Sequence, residues 1–131
     1  MVDAPSPRVL VVDDDAVILR LLEVNFRLDG FEVETANGGE EAILKAAETH
    51  PDAIVMDVMM PGMDGWTVTE RLRSDPATAD TPIVLLSARV RDDDRSRGYA
   101  LGVVDYVTKP FDPIELIEVV RRHLAAAGGA P

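Results

Sequence analysis

The sequence predicts a single α/β domain in which five parallel strands alternate with five helices. Three observations lead to this fold class. Short segments rich in β-branched residues alternate along the chain with segments whose apolar residues recur at helical spacing. The connections are short, and the right-handed crossovers that parallel strands require put helices on both faces of an open sheet. The length of 131 residues fits one domain, without internal repeats.

Five segments are predicted to be strands. Four of them are apolar enough to be covered on both faces of the sheet, whereas residues 31–36 alternate as an edge strand does. The predicted strands are Arg8–Val12, Phe31–Ala36, Ala53–Asp57, Pro82–Ser87 and Val103–Val107.

Five segments with helical spacing follow these strands. The first stops at Gly30, a suitable residue just past a helix end, and the last begins with Asp112 as N-cap and Pro113 as first helical residue. The predicted helices are Ala16–Asp29, Glu40–His50, Gly65–Ser74, Asp92–Leu101 and Asp112–Ala126. The first carries an apolar stripe of Val17, Leu21, Val24 and Leu28, and the last one of Ile114, Ile117, Val120 and Leu124.

The composition excludes several classes of function. No cysteine is present, so disulfide frameworks, zinc–thiolate sites and thiol catalysis are excluded. The formal net charge is −11, with 24 acidic against 13 basic residues, which disfavours direct binding to nucleic acid. No apolar run approaches the roughly 18 residues of a membrane span. Residues 1–7 lack the pattern of a secretory signal, so we expect a cytoplasmic protein.

Chemically active side chains follow the carboxyl ends of four predicted strands. Asp13–Asp15 follow the first strand, Asp57 ends the third, Ser87 ends the fourth and Lys109 follows the fifth. In open α/β sheets functional groups gather at this edge. Clustered carboxylates repel one another unless a cation compensates them, and oxygen ligands suit Mg²⁺. With a lysine and a hydroxyl to hold phosphoryl oxygens, this set predicts phosphoryl transfer onto an aspartate.

Four motifs in this order resemble the receiver domain of bacterial response regulators, the CheY-like superfamily. The motifs are Val11–Asp15 (VVDDD), Val55–Gly65 (VMDVMMPGMDG), Leu86–Ala88 (LSA) and Asp105–Phe111 (DYVTKPF). The resemblance covers residues 8–126, and we expect residues 1–7 to be a flexible start and 127–131 a flexible tail or linker stub. It implies a flavodoxin-like, doubly wound sheet of strand order 2-1-3-4-5.

The resemblance implies which residues hold the phosphoryl group and the metal. Asp57 matches the phosphoacceptor. Asp14 and Asp57 match direct Mg²⁺ ligands, Asp13 acts mostly through a bound water, and the backbone carbonyl of Met59 completes the protein ligands.

Further positions match the groups that hold and transmit the phosphoryl signal. Ser87 and Lys109 match the groups that bind the phosphoryl oxygens. Tyr106 matches an aromatic switch whose rotamer follows Ser87 and which turns inward on phosphorylation. Pro110 matches a position at which the family usually has a cis peptide bond.

The loop after the third strand matches the family as well. Pro61, Gly62 and Gly65 correspond to loop positions at which glycines supply backbone freedom. Met59 and Arg89 occupy variable positions two residues beyond Asp57 and Ser87. We expect their bulky side chains to limit the access of water to a phosphoryl group, and so to modulate its lifetime.

The implied function is a signalling switch that catalyses only its own phosphorylation and dephosphorylation. The implied phosphodonor is a sensor histidine kinase or a phosphotransfer protein. The implied output is a contact with a partner protein or a phosphorylation-dependent homodimer. Direct binding to nucleic acid or to a membrane is not expected. The output face would comprise Arg95–Leu101, Val104–Val107 and Asp112–Arg122. Equally, the chain could be a receiver cut from a longer response regulator.

A phosphatase of the haloacid-dehalogenase type is the alternative from another class. Asp13–Val17 (DDDAV) fits the D-x-D-x-[VT] pattern of that family, with Asp13 as nucleophile and Asp15 as general acid. That family needs a further acidic pair on a strand after the lysine, whereas only one helix follows Lys109 here. It also leaves Asp57 without a role.

Overall fold

The computed structural model of the chain describes residues 6–88 and 92–127. Within these residues the elements are β1 (Arg8–Val12), α1 (Ala16–Leu28), β2 (Glu32–Ala36), α2 (Gly39–Thr49), β3 (Ala53–Asp57), α3 (Gly65–Arg73), β4 (Ile83–Ser87), α4 (Asp92–Ala100), β5 (Asp105–Thr108) and α5 (Pro113–Ala127). The strands pair in parallel in the order β2-β1-β3-β4-β5, which confirms the predicted fold. No helix in these ranges is long and apolar enough to cross a membrane.

Three strands, β2, β4 and β5, begin later than predicted, and before β2 and β5 the preceding residues complete a helix end. The N–H of Phe31 donates to the Phe26 carbonyl at 3.0 Å, across Gly30 with a φ of 93°. At the end of α4, the Val103 N–H donates to the Gly98 carbonyl at 3.0 Å in the same way. Both bonds are the six-to-one bond of a Schellman motif, so these N–H groups serve the preceding helix.

The core has two layers, one on each face of the sheet. Alternate residues of β1, β3 and β4 point to opposite faces, as the two-residue period of a strand requires. One layer packs under α2 and α3 and includes Leu10, Met56, Leu85 and Tyr106. The other packs under α1 and α5 and includes Val11, Val55, Phe26 and Leu116. Strands β1, β3 and β4 are therefore rigidly held at the edge where the acidic residues lie.

The apolar stripe predicted on α1 lies on the outside of the molecule. Its side chains, which we call the outer α1 stripe, are between 37% and 82% exposed; they are Val17, Leu21, Val24 and Leu28. The buried face of α1 is Leu19, Leu22 and Phe26. Two apolar stripes run along this helix, and helical spacing alone does not say which one faces the sheet. On α5, Ile114 is likewise exposed, whereas Ile117 and Val120 of the predicted face are buried.

Candidate phosphoryl and metal site

Three carboxylates meet at the carboxyl edge of β1 and β3. Asp13 follows β1, and Asp57 ends the adjacent β3, since Val12 pairs with Met56 in the register of the two strands. Asp13 and Asp57 are buried, whereas Asp14 is exposed. One oxygen from each of the three lies within 4.8 Å of the others. The predicted convergence of these residues is therefore present in the structure.

Local hydrogen bonds fix the carboxylate of Asp13. Its Oδ1 accepts from the backbone N–H of Asp15 at 2.9 Å, and its Oδ2 lies 3.3 Å from Lys109 Nζ. The carboxylate of Asp15 points the other way and accepts from the N–H of Val17 at 2.9 Å, as an N-cap does. Asp15 therefore caps α1.

Lys109 reaches the cluster from the turn between β5 and α5. Its backbone N–H donates to the Ser87 carbonyl at 2.7 Å, and the peptide bond to Pro110 is cis, as the resemblance implied. Its Nζ lies 3.3 Å from Oδ1 of Asp57, the same distance as from Asp13. The turn thus aims one ammonium between two carboxylates.

The electrostatics of the cluster leave room for a cation. Burial and the neighbouring Asp13 carboxylate raise the pKa of Asp57 although Lys109 acts against them. Burial acts to lower the pKa of Lys109, but the two carboxylates outweigh it, and the pKa is raised. Three carboxylates against one ammonium leave two negative charges uncompensated. A hard divalent cation with oxygen ligands fits this donor set.

The raised pKa of Asp57 predicts a stability effect. The folded chain binds the Asp57 proton more tightly than the unfolded chain, so ionised Asp57 lowers stability above its folded pKa, and this loss is relieved as the pH falls. We expect Asp57→Asn to raise the Tm at neutral pH in EDTA by about 4 °C, the shift that roughly 1 kcal/mol gives a domain of this size. Thermal denaturation over a pH series measures it.

The matched control is Glu70→Gln, which removes the same charge from an exposed position on α3. The control should leave Tm nearly unchanged, and the gain of Asp57→Asn should shrink as the pH falls. An equal or lower Tm for Asp57→Asn at neutral pH would contradict the electrostatic account.

Ser87 and Tyr106 occupy neighbouring strands. Ser87 ends β4 and is 5% exposed. In the register of β4 and β5, Ser87 pairs with Thr108 and Leu85 pairs with Tyr106. Leu85, Ser87 and Tyr106 therefore share one face of the sheet, and Tyr106 lies one two-residue repeat below Ser87. This is the geometry that a coupling between Ser87 and Tyr106 requires.

The loop between β3 and α3 needs its two glycines for different reasons. Gly62 has a φ of 82°, which requires the backbone freedom that we predicted. Gly65 has no positive φ, and its requirement is space: a Cβ there would lie 2.9 Å from the Asp57 carbonyl oxygen. The missing side chain lets α3 start directly against the end of β3. Met59 of the same loop is 70% exposed, and Arg89 lies outside the described residues.

Two grooves flank the carboxylates. One has a volume of about 580 Å³ and is lined by Asp14, Met59, Asp64 and Trp66, among others. The other has a volume of about 440 Å³ and is almost wholly apolar, and it includes Leu21 of the outer α1 stripe beside Lys109. Helical spacing did not indicate the second groove, because it does not tell which of the apolar stripes of α1 lies on the outside.

The comparisons with known proteins agree on one family. The model of the response regulator receiver domain matches residues 9–121. The chain is 50% identical over 123 residues to the transcriptional regulatory protein PrrA of Mycobacterium leprae. This match covers 94% of the chain but 52% of PrrA, so the chain spans about half the length of that relative.

Solved structures give the same assignment. The chemotaxis protein CheY4 of Vibrio cholerae is 33% identical, with a TM-score of 0.86, covering 89% of this chain and 98% of CheY4. The receiver domain of the sensor histidine kinase PA1611 of Pseudomonas aeruginosa, solved with a magnesium ion coordinated in its active-site cleft, is 30% identical. Its TM-score is 0.83, and the match covers 92% of this chain and 98% of that domain. The chain thus belongs to the response regulator receiver domain family, the phosphoryl-accepting switch of two-component signalling.

Proposed function

We propose that Asp57 accepts a phosphoryl group from a phosphohistidine of a sensor kinase or phosphotransfer protein. The observation that carries this choice is the difference between the two buried carboxylates. The side chain of Asp13 is 0% exposed, and both its oxygens are engaged, by the Asp15 N–H and by Lys109. The side chain of Asp57 is also held, by Lys109 and by a backbone hydrogen bond from Met59, but it is 8% exposed. Because of this exposure, an oxygen of Asp57 is the better placed to meet a donor.

The chain's own residues supply the remaining chemistry. An Asp57 oxygen attacks phosphorus, the bond from phosphorus to the imidazole nitrogen breaks, and the imidazole leaves with the electron pair. Lys109 and Ser87 bind the phosphoryl oxygens and neutralise their charge. Water later attacks phosphorus, the bond from phosphorus to the Asp57 oxygen breaks, and inorganic phosphate leaves as the carboxylate is restored. In this proposal no external substrate is turned over.

Mg²⁺ belongs to the same proposal, with Asp13, Asp14, Asp57 and the Met59 backbone carbonyl as its protein ligands. The three carboxylates within 4.8 Å support this ligand set, and Met59 and Asp14 line the same groove. When bound, the ion supplies charge neutralisation and orientation of phosphoryl oxygens.

Removal of one ligand is expected to weaken Mg²⁺ binding. We expect Asp14→Ala to weaken Mg²⁺ at least about tenfold, and affinity in the wild type to fall with pH because protons compete for the carboxylates. Calorimetric titration measures both. Asp15→Ser is the matched control, since it removes a neighbouring charge and keeps an N-cap residue. Equal affinities of the wild type and Asp14→Ala would refute the ligand set.

The lifetime of the phosphoryl group should depend on Met59. Hydrolysis requires a water in line with the bond that breaks, and the exposed Met59 side chain lines the groove beside Asp14. We expect Met59→Ala to shorten the half-life of the phosphorylated chain several-fold without preventing labelling, and Arg89→Ala to add to this. Decay followed by intact mass, with exposed Leu44→Ala on α2 as control, measures it. Decay of phosphorylated Met59→Ala at the wild-type rate would refute the proposal that Met59 limits the access of water.

The output is proposed to leave through the face formed by α4, β5 and α5. Tyr99 of α4 is 46% exposed and packs edge-on against Tyr106, with ring centroids 5.6 Å apart. A shift of Tyr106 therefore reaches the surface directly. On the same face, Asp105 pairs with His123 at 3.2 Å. Such a face suits a partner protein or a second copy of the chain.

The donor is proposed to dock on the other side, along the outer α1 stripe. This stripe is apolar and exposed, and through Leu21 it joins the groove that contains Lys109. Exposed apolar patches that border a reactive site commonly mark protein interfaces. The donor and the output partner would then contact different faces.

A further inference from the structure

An aromatic cluster joins α3, α4 and β5 beneath the phosphoryl site. Tyr106 is 6% exposed, and its hydroxyl oxygen accepts a hydrogen bond from Nε1 of Trp66 at 3.0 Å. Trp66 is the second residue of α3, only nine residues beyond Asp57 in the chain. Trp66 thus connects the helix that follows the acceptor to the aromatic ring on β5.

Gly98 of α4 provides the space that the Tyr106 ring occupies. A Cβ at this position would lie 1.8 Å from the Tyr106 hydroxyl oxygen and 2.6 Å from Cζ. Any side chain here would therefore expel the ring. Glycine inside a helix is destabilising relative to alanine, because its backbone loses more conformational freedom on folding. The buried position of Tyr106 explains why α4 contains one.

Two further contacts hold the cluster in place. The Arg97 guanidinium lies over the Trp66 ring at 5.2 Å, a cation–π contact that restrains the indole. The Tyr99 ring meets the Tyr106 ring edge-on. Both come from the last turns of α4, so the indole, the phenol and this helix position one another.

We propose that Trp66 is a positioning residue that holds Tyr106 in its buried position before any phosphoryl group arrives. The inference rests on the proposed function for its consequence, because Tyr106 is the proposed switch. A ligand shifts an equilibrium only by its differential interaction with the two states. If Trp66 already favours the buried position of Tyr106, fewer molecules remain in the other state for phosphorylation to shift. The basal activity of the chain is then raised, and its response to phosphorylation is reduced.

The hydrogen bond itself is tested without any phosphoryl group. The chain contains one tryptophan, so its indole N–H gives a single NMR signal. We expect Tyr106→Phe to speed hydrogen exchange of this N–H by about tenfold, the ratio that one hydrogen bond of ordinary net strength supplies. Tyr99→Phe, which keeps an aromatic ring and the Tyr106 hydroxyl, is the control. Equal exchange in the wild type and Tyr106→Phe would overturn the proposal.

The effect on the switch is read from the tyrosines. The chain has two, Tyr99 and Tyr106, so fluorotyrosine labelling gives two ¹⁹F signals, which Tyr99→Phe assigns. In the unphosphorylated chain, Trp66→Phe should move the Tyr106 signal towards that of Gly98→Ala, in which the ring is expelled. An unmoved Tyr106 signal in Trp66→Phe would overturn the positioning role of Trp66.

Beryllofluoride, a phosphoryl mimic, separates this proposal from the proposed function. If Trp66 positions Tyr106 as proposed, the mimic should shift the Tyr106 signal further in Trp66→Phe than in the wild type. A larger shift in the wild type would overturn the positioning role of Trp66. If the mimic moves Tyr106 in no variant while the two unphosphorylated readouts behave as expected, the proposed output through Tyr106 fails and the positioning role of Trp66 stands.

Discussion

Asp57→Asn is expected to abolish phosphoryl acceptance. With Mg²⁺ and acetyl phosphate, the wild type should gain one phosphoryl group, and Asp57→Asn should gain none. The amide lacks the anionic oxygen that attacks phosphorus, and no other carboxylate of the cluster combines partial exposure with the Lys109 contact. Intact-mass spectrometry measures the labelling.

Asp64→Asn is the matched control for this experiment. Asp64 lines the groove beside Asp14 and caps α3 by accepting from the Thr67 N–H at 2.8 Å. Asparagine keeps a cap, so the control loses one nearby carboxylate and should still be labelled. Unchanged labelling of Asp57→Asn together with loss of labelling in Asp13→Asn would instead support the phosphatase alternative.

Ser87→Ala is expected to separate phosphorylation from output. The backbone carbonyl of Ser87, which holds the Lys109 N–H, is unaffected by the substitution, so the acceptor geometry should survive. The substitution removes the hydroxyl that would bind the phosphoryl oxygens. This hydroxyl lies two strand positions beyond Leu85, the residue that pairs with Tyr106. We expect slower labelling but loss of most of the change in self-association that beryllofluoride causes. Analytical ultracentrifugation with and without the mimic measures this change.

Thr108→Ala serves as the control for Ser87→Ala. Thr108 lies opposite Ser87 in the register of β4 and β5, but its side chain is exposed. Its removal should leave the response intact. Equal responses to beryllofluoride in the wild type and Ser87→Ala would show that Ser87 does not transmit the signal, and the assignment of Tyr106 would lose its support.

The acidic site could be predicted because its residues follow strands directly. The apolar runs of β1 and β3 stop at the aspartates, and Lys109 follows β5 at the same end, so Asp13, Asp57 and Lys109 were placed at one edge from the sequence pattern. The strand order needed the family resemblance. The N-cap bond of Asp15 is local as well, because it spans only two residues.

Features that depend on which surfaces meet could not be predicted. The outer α1 stripe has the spacing of a core face, and only the packing of Leu22 and Phe26 under the sheet shows that it is free. The bond from Trp66 to Tyr106 joins residues 40 positions apart on different elements. From the sequence alone, Gly98 is a residue that weakens α4. Its role is visible only once the Tyr106 ring is seen to occupy the space of the missing side chain.

Arg73 shows the same limit of local reasoning. From the sequence it is one of two arginines in the last turn of α3, suited to the helix dipole. In the structure its guanidinium donates to backbone carbonyls in both the loop after α3 and the loop after α4. The acceptors are Thr78, Ala79, Thr81, Leu101 and Gly102. Neither loop contains a residue pattern that would predict Arg73 as the donor to its carbonyls.

The identity of the acceptor is tested most directly by chemical mapping of the phosphorylated wild type. Borohydride reduces an aspartyl phosphate to homoserine and leaves free carboxylates untouched, so peptide mass spectrometry then reports which aspartate carried the phosphoryl group. We expect homoserine in place of Asp57 and unmodified Asp13, Asp14 and Asp15. Homoserine in place of Asp13, with Asp57 unmodified, would contradict it.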